Sequence, residues 1–155
     1  MTKIKFTTLY LISIVAVNFA FTALPMIELP FDQTIPAGTF LVGFIFVIRD
    51  YAQKEIGSWI YLAMLAGVLL SYVMADPFVA VASAVAFGLS ELIDALVFTY
   101  TKKPMRDRIL ISSAASTPVD SSVFLLMLGF FNLLGFAIMV IVKMIGALIV
   151  WKIVK

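Results

Sequence analysis

The chain has 155 residues with a net charge of +2; 63% of its residues are hydrophobic, only 13% are charged, and its mean hydropathy is +1.13. So few polar side chains cannot clothe a soluble domain, so lipid is the solvent, and the length holds several spanning helices of about 20 residues with no appended catalytic domain. Cysteine and histidine are absent, which excludes disulfides, thiolate nucleophiles, imidazole metal sites and Ser-His-Asp chemistry, and the basic residues cluster between apolar runs as topology signals do, with no nucleic-acid signature.

Six apolar runs predict six helices, at about 6–24, 36–57, 59–74, 77–100, 109–131 and 132–153, since none shows the period-two alternation of a membrane barrel. The first has the basic start of a signal peptide, but its apolar part is too long and no small-x-small cleavage site follows, so it reads as a transmembrane helix. The second is short unless it starts at Pro36 and runs through Arg49, Asp50 and Tyr51 to Gly57, which carries charge inside the membrane boundary. Small residues recur at helical spacing on the third (Ala63, Gly67, Ser71) and fourth (Ala80, Ala84, Gly88), a pattern for close helix packing within the chain; the oligomeric state is left open. The fifth carries Pro118 in its middle, where a proline frees a carbonyl. Short loops with Lys and Arg stay in the cytoplasm. Lys3, Lys5, Arg49, Lys54, Lys102, Lys103, Arg106, Arg108, Lys152 and Lys155, ten of the eleven basic residues, fall on one side, while the opposite connections carry Glu28, Asp32 and Asp76. The predicted fold is therefore an all-α, single-domain, compact bundle of six transmembrane helices with both ends in the cytoplasm, and only Lys143 lies mid-helix.

Ionisable groups at membrane depth are costly and usually face a bundle interior or cavity, so they point to function. Counting about 1.5 Å per residue from each helix midpoint puts Asp120 and Lys143 at the midplane, where they can pair across antiparallel helices. Arg49, Asp50 and Glu91 lie roughly 4 to 5 Å toward the cytoplasm, Asp94 a turn further, and Asn18 slightly outward of centre. Ser83, Phe87, Ser90, Glu91, Asp94 and Phe98 share one face of the fourth helix; Ser113, Ser116, Thr117, Asp120 and Phe124 share one face of the fifth. The bland alternative is a neutralised core in which Asp120 pairs with Lys143 and Arg49 with Glu91. Acids nevertheless outnumber bases at these depths, which leaves carboxylates for a proton, a cation or a donor-rich ligand.

The stretch from Phe44 through Arg49-Asp50-Tyr-Ala-Gln-Lys-Glu55-Ile-Gly57 resembles the apolar-run, Asp, x4, Glu, x, Gly signature of the queuosine-precursor transporters, also called the vitamin uptake transporter family. Ser90 through Asp94 to Phe98, and Arg108 through Ser116-Thr117-Pro-Val-Asp120 to Phe124, resemble that family's later motifs in order, whereas Arg49 and Glu91 match nothing in its pattern and rest on depth alone. The resemblance implies a six-helix transporter of the cytoplasmic (inner) membrane, not an enzyme, that imports 7-cyano-7-deazaguanine or its aminomethyl relative without a cofactor. A guanine-like edge offers N1-H and NH2 to one carboxylate while aromatic rings cover its face. Glu91, Asp94 and Asp120 are the candidate acceptors and Phe87, Phe98 and Phe124 the candidate stacking partners.

Two other readings use the same residues. A substrate-binding subunit that docks on an ATP-driven module would present small residues on its first helix, of which Ala16-x3-Ala20 is a faint echo. An intramembrane enzyme would use Asp94 and Asp120 as an acid/base pair.

Overall fold

The computed structural model describes residues 4–29, 33–76, 79–129 and 131–153. Its helices are α1 (Lys5–Ala23), α2 (Thr39–Ile56), α3 (Ile60–Met74), α4 (Ala80–Tyr100), α5 (Met105–Met127) and α6 (Leu133–Ile153), with a 3-10 turn at Gly57–Trp59. Five helical segments are long and apolar enough to cross a membrane, the run Thr39–Met74 counting as one. Large apolar side chains such as Leu62, Leu69, Ile141 and Leu148 face outward, while Arg49, Asp50, Glu91, Asp94 and Lys143 are buried. A polar inside and an apolar outside suit a lipid solvent, and the chain is a helical, multi-pass membrane protein.

The 36-residue run folds in two at Gly57, whose φ of 60° is a left-handed conformation open to glycine. Thr7, at the start of α1, donates to Glu55 at the end of α2, so these helices are antiparallel. On α3, by contrast, Gly67 packs against Tyr10 and Ile14 of α1, and Ser71 Oγ reaches Asn18 Oδ1 further along it, at 3.4 Å. Hence α3 runs parallel to α1 and opposite to α2. Ser71 near the end of α3 also meets Ser83 near the start of α4, Arg108 near the start of α5 donates to Phe98 O near the end of α4, and Trp151 near the end of α6 donates to Asp107 near the start of α5, so direction alternates through all six helices. Neighbour contacts close a ring in the order α1, α3, α4, α5, α6, α2, with α2 also touching α4 and α5.

Several boundaries differ from the sequence expectation. The segment between the first two helices is not plain loop: β1 (Met26–Leu29) pairs antiparallel with β2 (Gln33–Pro36), a small departure from an all-α fold. The second helix accordingly starts at Thr39 and not at Pro36, which ends β2. Helix α5 starts at Met105, four residues before its apolar run, because Pro104 precedes it in an extended conformation and Asp107 sits in the first turn, where the helix dipole favours an acid. Helix α6 is capped by Asn132, whose Oδ1 accepts from Gly135 N at 2.6 Å. The expected starts at 77 and the residues Lys3, Asp32 and Lys155 lie outside the described residues.

The small-residue stripe on α3 is consumed within the chain: Gly67 and Ser71 face α1 and α4. The closest approach lies elsewhere, between α2 and α6. A Cβ built on Gly43 would sit on the Lys143 carbonyl, and one on Gly146 would lie 2.9 Å from the Gly43 carbonyl carbon.

Candidate functional site

The buried polar residues form two layers. The deeper is built on α2, where consecutive residues point about 100° apart and reach different neighbours. Arg49 turns to α4: Nη2 pairs with Asp94, and Nε lies 3.7 Å from Glu91 Oε2. It also meets its own neighbour, Asp50 Oδ1, at 2.8 Å, while Nη1 donates to Gln53 Oε1. Arg49 Nε and Nη2 meet these carboxylates as charges rather than through directed hydrogen bonds. Hydroxyls complete the layer: Tyr10 donates to Glu91 Oε2 at 2.9 Å, Ser112 to Asp50 Oδ2 at 3.1 Å and Ser116 to Asp94 Oδ1 at 3.0 Å. Arg49, Asp50, Glu91 and Asp94 are all 0% exposed. Three carboxylates face one guanidinium, so the layer is equipped to hold further positive charge, whether a proton or a cation.

Four residues on from Ser116, Asp120 belongs to the second layer. Lys143 Nζ donates to Asp120 Oδ2 at 2.5 Å and to Ser121 Oγ at 3.1 Å, and Ser90 Oγ donates to Asp120 Oδ1 at 3.1 Å. Each charge thus keeps a hydroxyl partner besides the other charge.

Asp120 and Lys143 line a cavity of about 60 Å³ together with Asn18, Thr39, Ser71, Ser83, Phe87, Phe124 and apolar side chains of α1, α2 and α6. Asn18, Phe21, Ser83 and Phe124 also line a second space of about 200 Å³ that reaches Thr22, Asp76 and Val79, at the hairpin end of the bundle. The inner cavity lies below the roughly 300 Å³ at which small-molecule sites begin. At the opposite end a space of about 360 Å³ is bounded by Gln53, Lys54, Ser58, Tyr61, Phe98, Thr99 and Arg108. The Arg49 layer stands between the two, since α2 presents residues 39 to 45 to one cavity, 49 and 50 to the layer, and 53 to 57 to the other.

The expected site residues are therefore divided. Asn18, Phe87, Asp120, Phe124 and Lys143 meet at the cavity. Arg49, Asp50, Glu91, Asp94 and Ser116 form the closed layer behind it, and Ser90 touches the cavity pair only through Asp120. Two of the expected residues lie away from the cavity. Phe98 does not stand with Phe87 and Phe124: its ring lies under Arg108, 3.9 Å from the guanidinium carbon, beyond the Arg49 layer. Thr117 turns its hydroxyl onto its own helix, donating to Ser113 O at 2.6 Å, and meets Met144 Sδ. Sequence reasoning missed Tyr10, Thr39, Gln53, Ser112 and Ser121. Tyr10, Ile14 and Asn18 at four-residue spacing on α1 were a readable stripe, whereas Thr39 carried no signal in an apolar run.

Tyr10 offers a direct check. Tyr10→Phe removes the hydroxyl that donates to Glu91, a carboxylate with no exposed surface, and should lower stability by about 1 to 3 kcal/mol, read as a lower midpoint of thermal unfolding in detergent.

No protein-family model, curated protein or solved structure matches this chain.

Proposed function

We propose that the chain is a transporter that crosses the cytoplasmic membrane six times and imports 7-cyano-7-deazaguanine or 7-aminomethyl-7-deazaguanine by alternating access. The observation that carries this reading is the cavity between the helices, floored by the Asp120 carboxylate and walled by Phe87 and Phe124, with a closed charged layer behind it. A carboxylate accepts the N1-H and NH2 of a guanine-like edge, and two phenyl rings cover the flat bicycle.

Orientation supports the direction of transport. Thr7 meets Glu55, Gln53 meets Thr99, and Trp151 meets Asp107, which gathers Lys5, Lys54, Lys102, Lys103, Arg106 and Lys152 at one end of the bundle. Basic ends stay inside, so that end is cytoplasmic and the Asp120 cavity opens outward. Inward release then requires the Arg49 layer to part, with Gln53, Thr99 and the Arg108–Phe98 contact on the exit side.

The test is genetic. In cells unable to make the deazaguanine precursor, expression of this chain should restore queuosine in tRNA at limiting external precursor. Asp120→Asn should abolish the rescue while the protein stays folded in the membrane. Queuosine at the vector level despite good membrane expression of the unaltered chain contradicts the assignment; loss of the Asp120→Asn protein itself assigns the pair to architecture.

A further inference from the structure

Asp120 explains how a solute's donors are accepted, but the same cavity floor holds a second charge whose use in recognition has not been assigned. Lys143 is 2% exposed, lines the cavity, and spends its contacts on Asp120 Oδ2 and Ser121 Oγ. Buried ion pairs are broken at high cost when one partner is left bare. Here neither would be. Asp120 retains Ser90 on its other oxygen, and Lys143 retains Ser121. A ligand that brings a donor and an acceptor side by side can therefore enter between the two charges, giving its N–H to the carboxylate and its C=O to the ammonium.

A second feature of the cavity points the same way. Thr39 is 0% exposed, lines the cavity from the first turn of α2, and its Oγ1 has no hydrogen-bond partner among the described residues. A buried hydroxyl without a partner costs about 1 to 3 kcal/mol, and a solute polar atom would satisfy it. Asn18 and Ser71, by contrast, already bond each other and the α1 backbone.

We infer that Lys143 and Thr39 are recognition groups of this site. Lys143 reads the ring carbonyl that adjoins the N–H taken by Asp120, which makes the preferred ligand a cyclic lactam, and the Thr39 hydroxyl holds a further polar atom of the same solute. The inference rests on the proposed transport role and specifies which edge of the solute is read.

Calorimetric titration of the purified chain with 7-cyano-7-deazaguanine and with its 6-thio analogue tests it, because sulfur keeps the N1-H and NH2 but accepts weakly. The oxo compound should bind the unaltered protein about tenfold more tightly, the scale of one hydrogen bond to a charged group. Lys143→Met should abolish that preference. Thr39→Val should bind the oxo compound about three- to tenfold more weakly, with a thermal midpoint no lower than that of the unaltered chain, since the hydroxyl makes no hydrogen bond among the described residues. Equal affinity for the two compounds in the unaltered protein, or a preference that survives Lys143→Met, overturns the role of Lys143; unchanged affinity in Thr39→Val overturns that of Thr39. If Lys143→Met does not accumulate, the oxo-to-thio ratio of the unaltered chain decides alone. Binding of neither compound to the unaltered protein overturns the transport reading itself.

Discussion

Arg49→Met should remove the folded protein from the membrane. The guanidinium pairs with Asp50 and Asp94 and lies beside Glu91 in a layer with no exposed surface. Taking away one partner of a buried ion pair costs about 3 to 5 kcal/mol, and here three acids lose their shared partner, so the low end of that range is a floor. The thermal midpoint and monodisperse yield in detergent read the loss. Partial recovery is expected when Asp94→Asn is added, because the amide removes a charge from the partner that Nη2 held. No recovery would mean that Arg49 acts through its bulk and not its charge. Gln53→Ala should cost far less, since Gln53 is a neutral partner and half-buried at the edge of the layer.

The second large effect belongs to a residue with no side chain. Gly43→Ala places a methyl carbon on the Lys143 carbonyl, and the obstructing atoms are backbone, 2.8 Å away at the carbonyl carbon. Overpacking by one methyl typically costs 1 to 3 kcal/mol where side chains can give way; here α6 itself must shift, so a cost at or above about 3 kcal/mol is expected. The displacement also withdraws Lys143 from Asp120, so solute binding should fall together with stability. Gly146→Ala, facing the Gly43 carbonyl carbon at 2.9 Å, should behave similarly. Ala substitution at Gly88, where the obstacle is the tip of Val68 at 3.3 Å, should be tolerated by comparison. Thermal unfolding of the three variants side by side checks the order.

These contacts mark where the sequence stops being legible. A residue's depth follows from counting along its helix, and depth alone brings Asp120 level with Lys143 and Arg49 level with Glu91, because the rise per residue is fixed. Depth says nothing of azimuth or of which helices are neighbours. For that reason Arg49 could be counted level with Glu91, while its contact with Asp94, and the turn of Asp50 toward Ser112 on α5, needed the packed bundle. The stripe on α4 is real as a face, yet a face runs the whole thickness of the bundle. Phe87 and Phe98 share it and still lie on opposite sides of the Arg49 layer.

The resemblance motif divides in the same way. Glu55 caps the start of α1 by accepting from Thr7 N at 2.9 Å and Phe6 N at 3.3 Å, and Gly57 turns the chain into α3. Two of its three named residues thus serve architecture, and Asp50 serves the buried layer. Hydropathy could not reveal the hairpin at Met26–Leu29 and Gln33–Pro36, whose pairing is backbone hydrogen bonding in a short connection, nor the start of α2 at Thr39, which decides that this hydroxyl faces the cavity.

We propose that this chain alone carries a deazaguanine across a bilayer. Liposomes reconstituted with the purified protein should take up radiolabelled 7-cyano-7-deazaguanine over time, with excess unlabelled compound suppressing the signal and Asp120→Asn abolishing it. Uptake no faster than in empty liposomes, from protein that is folded and inserted in the membrane, would contradict the account.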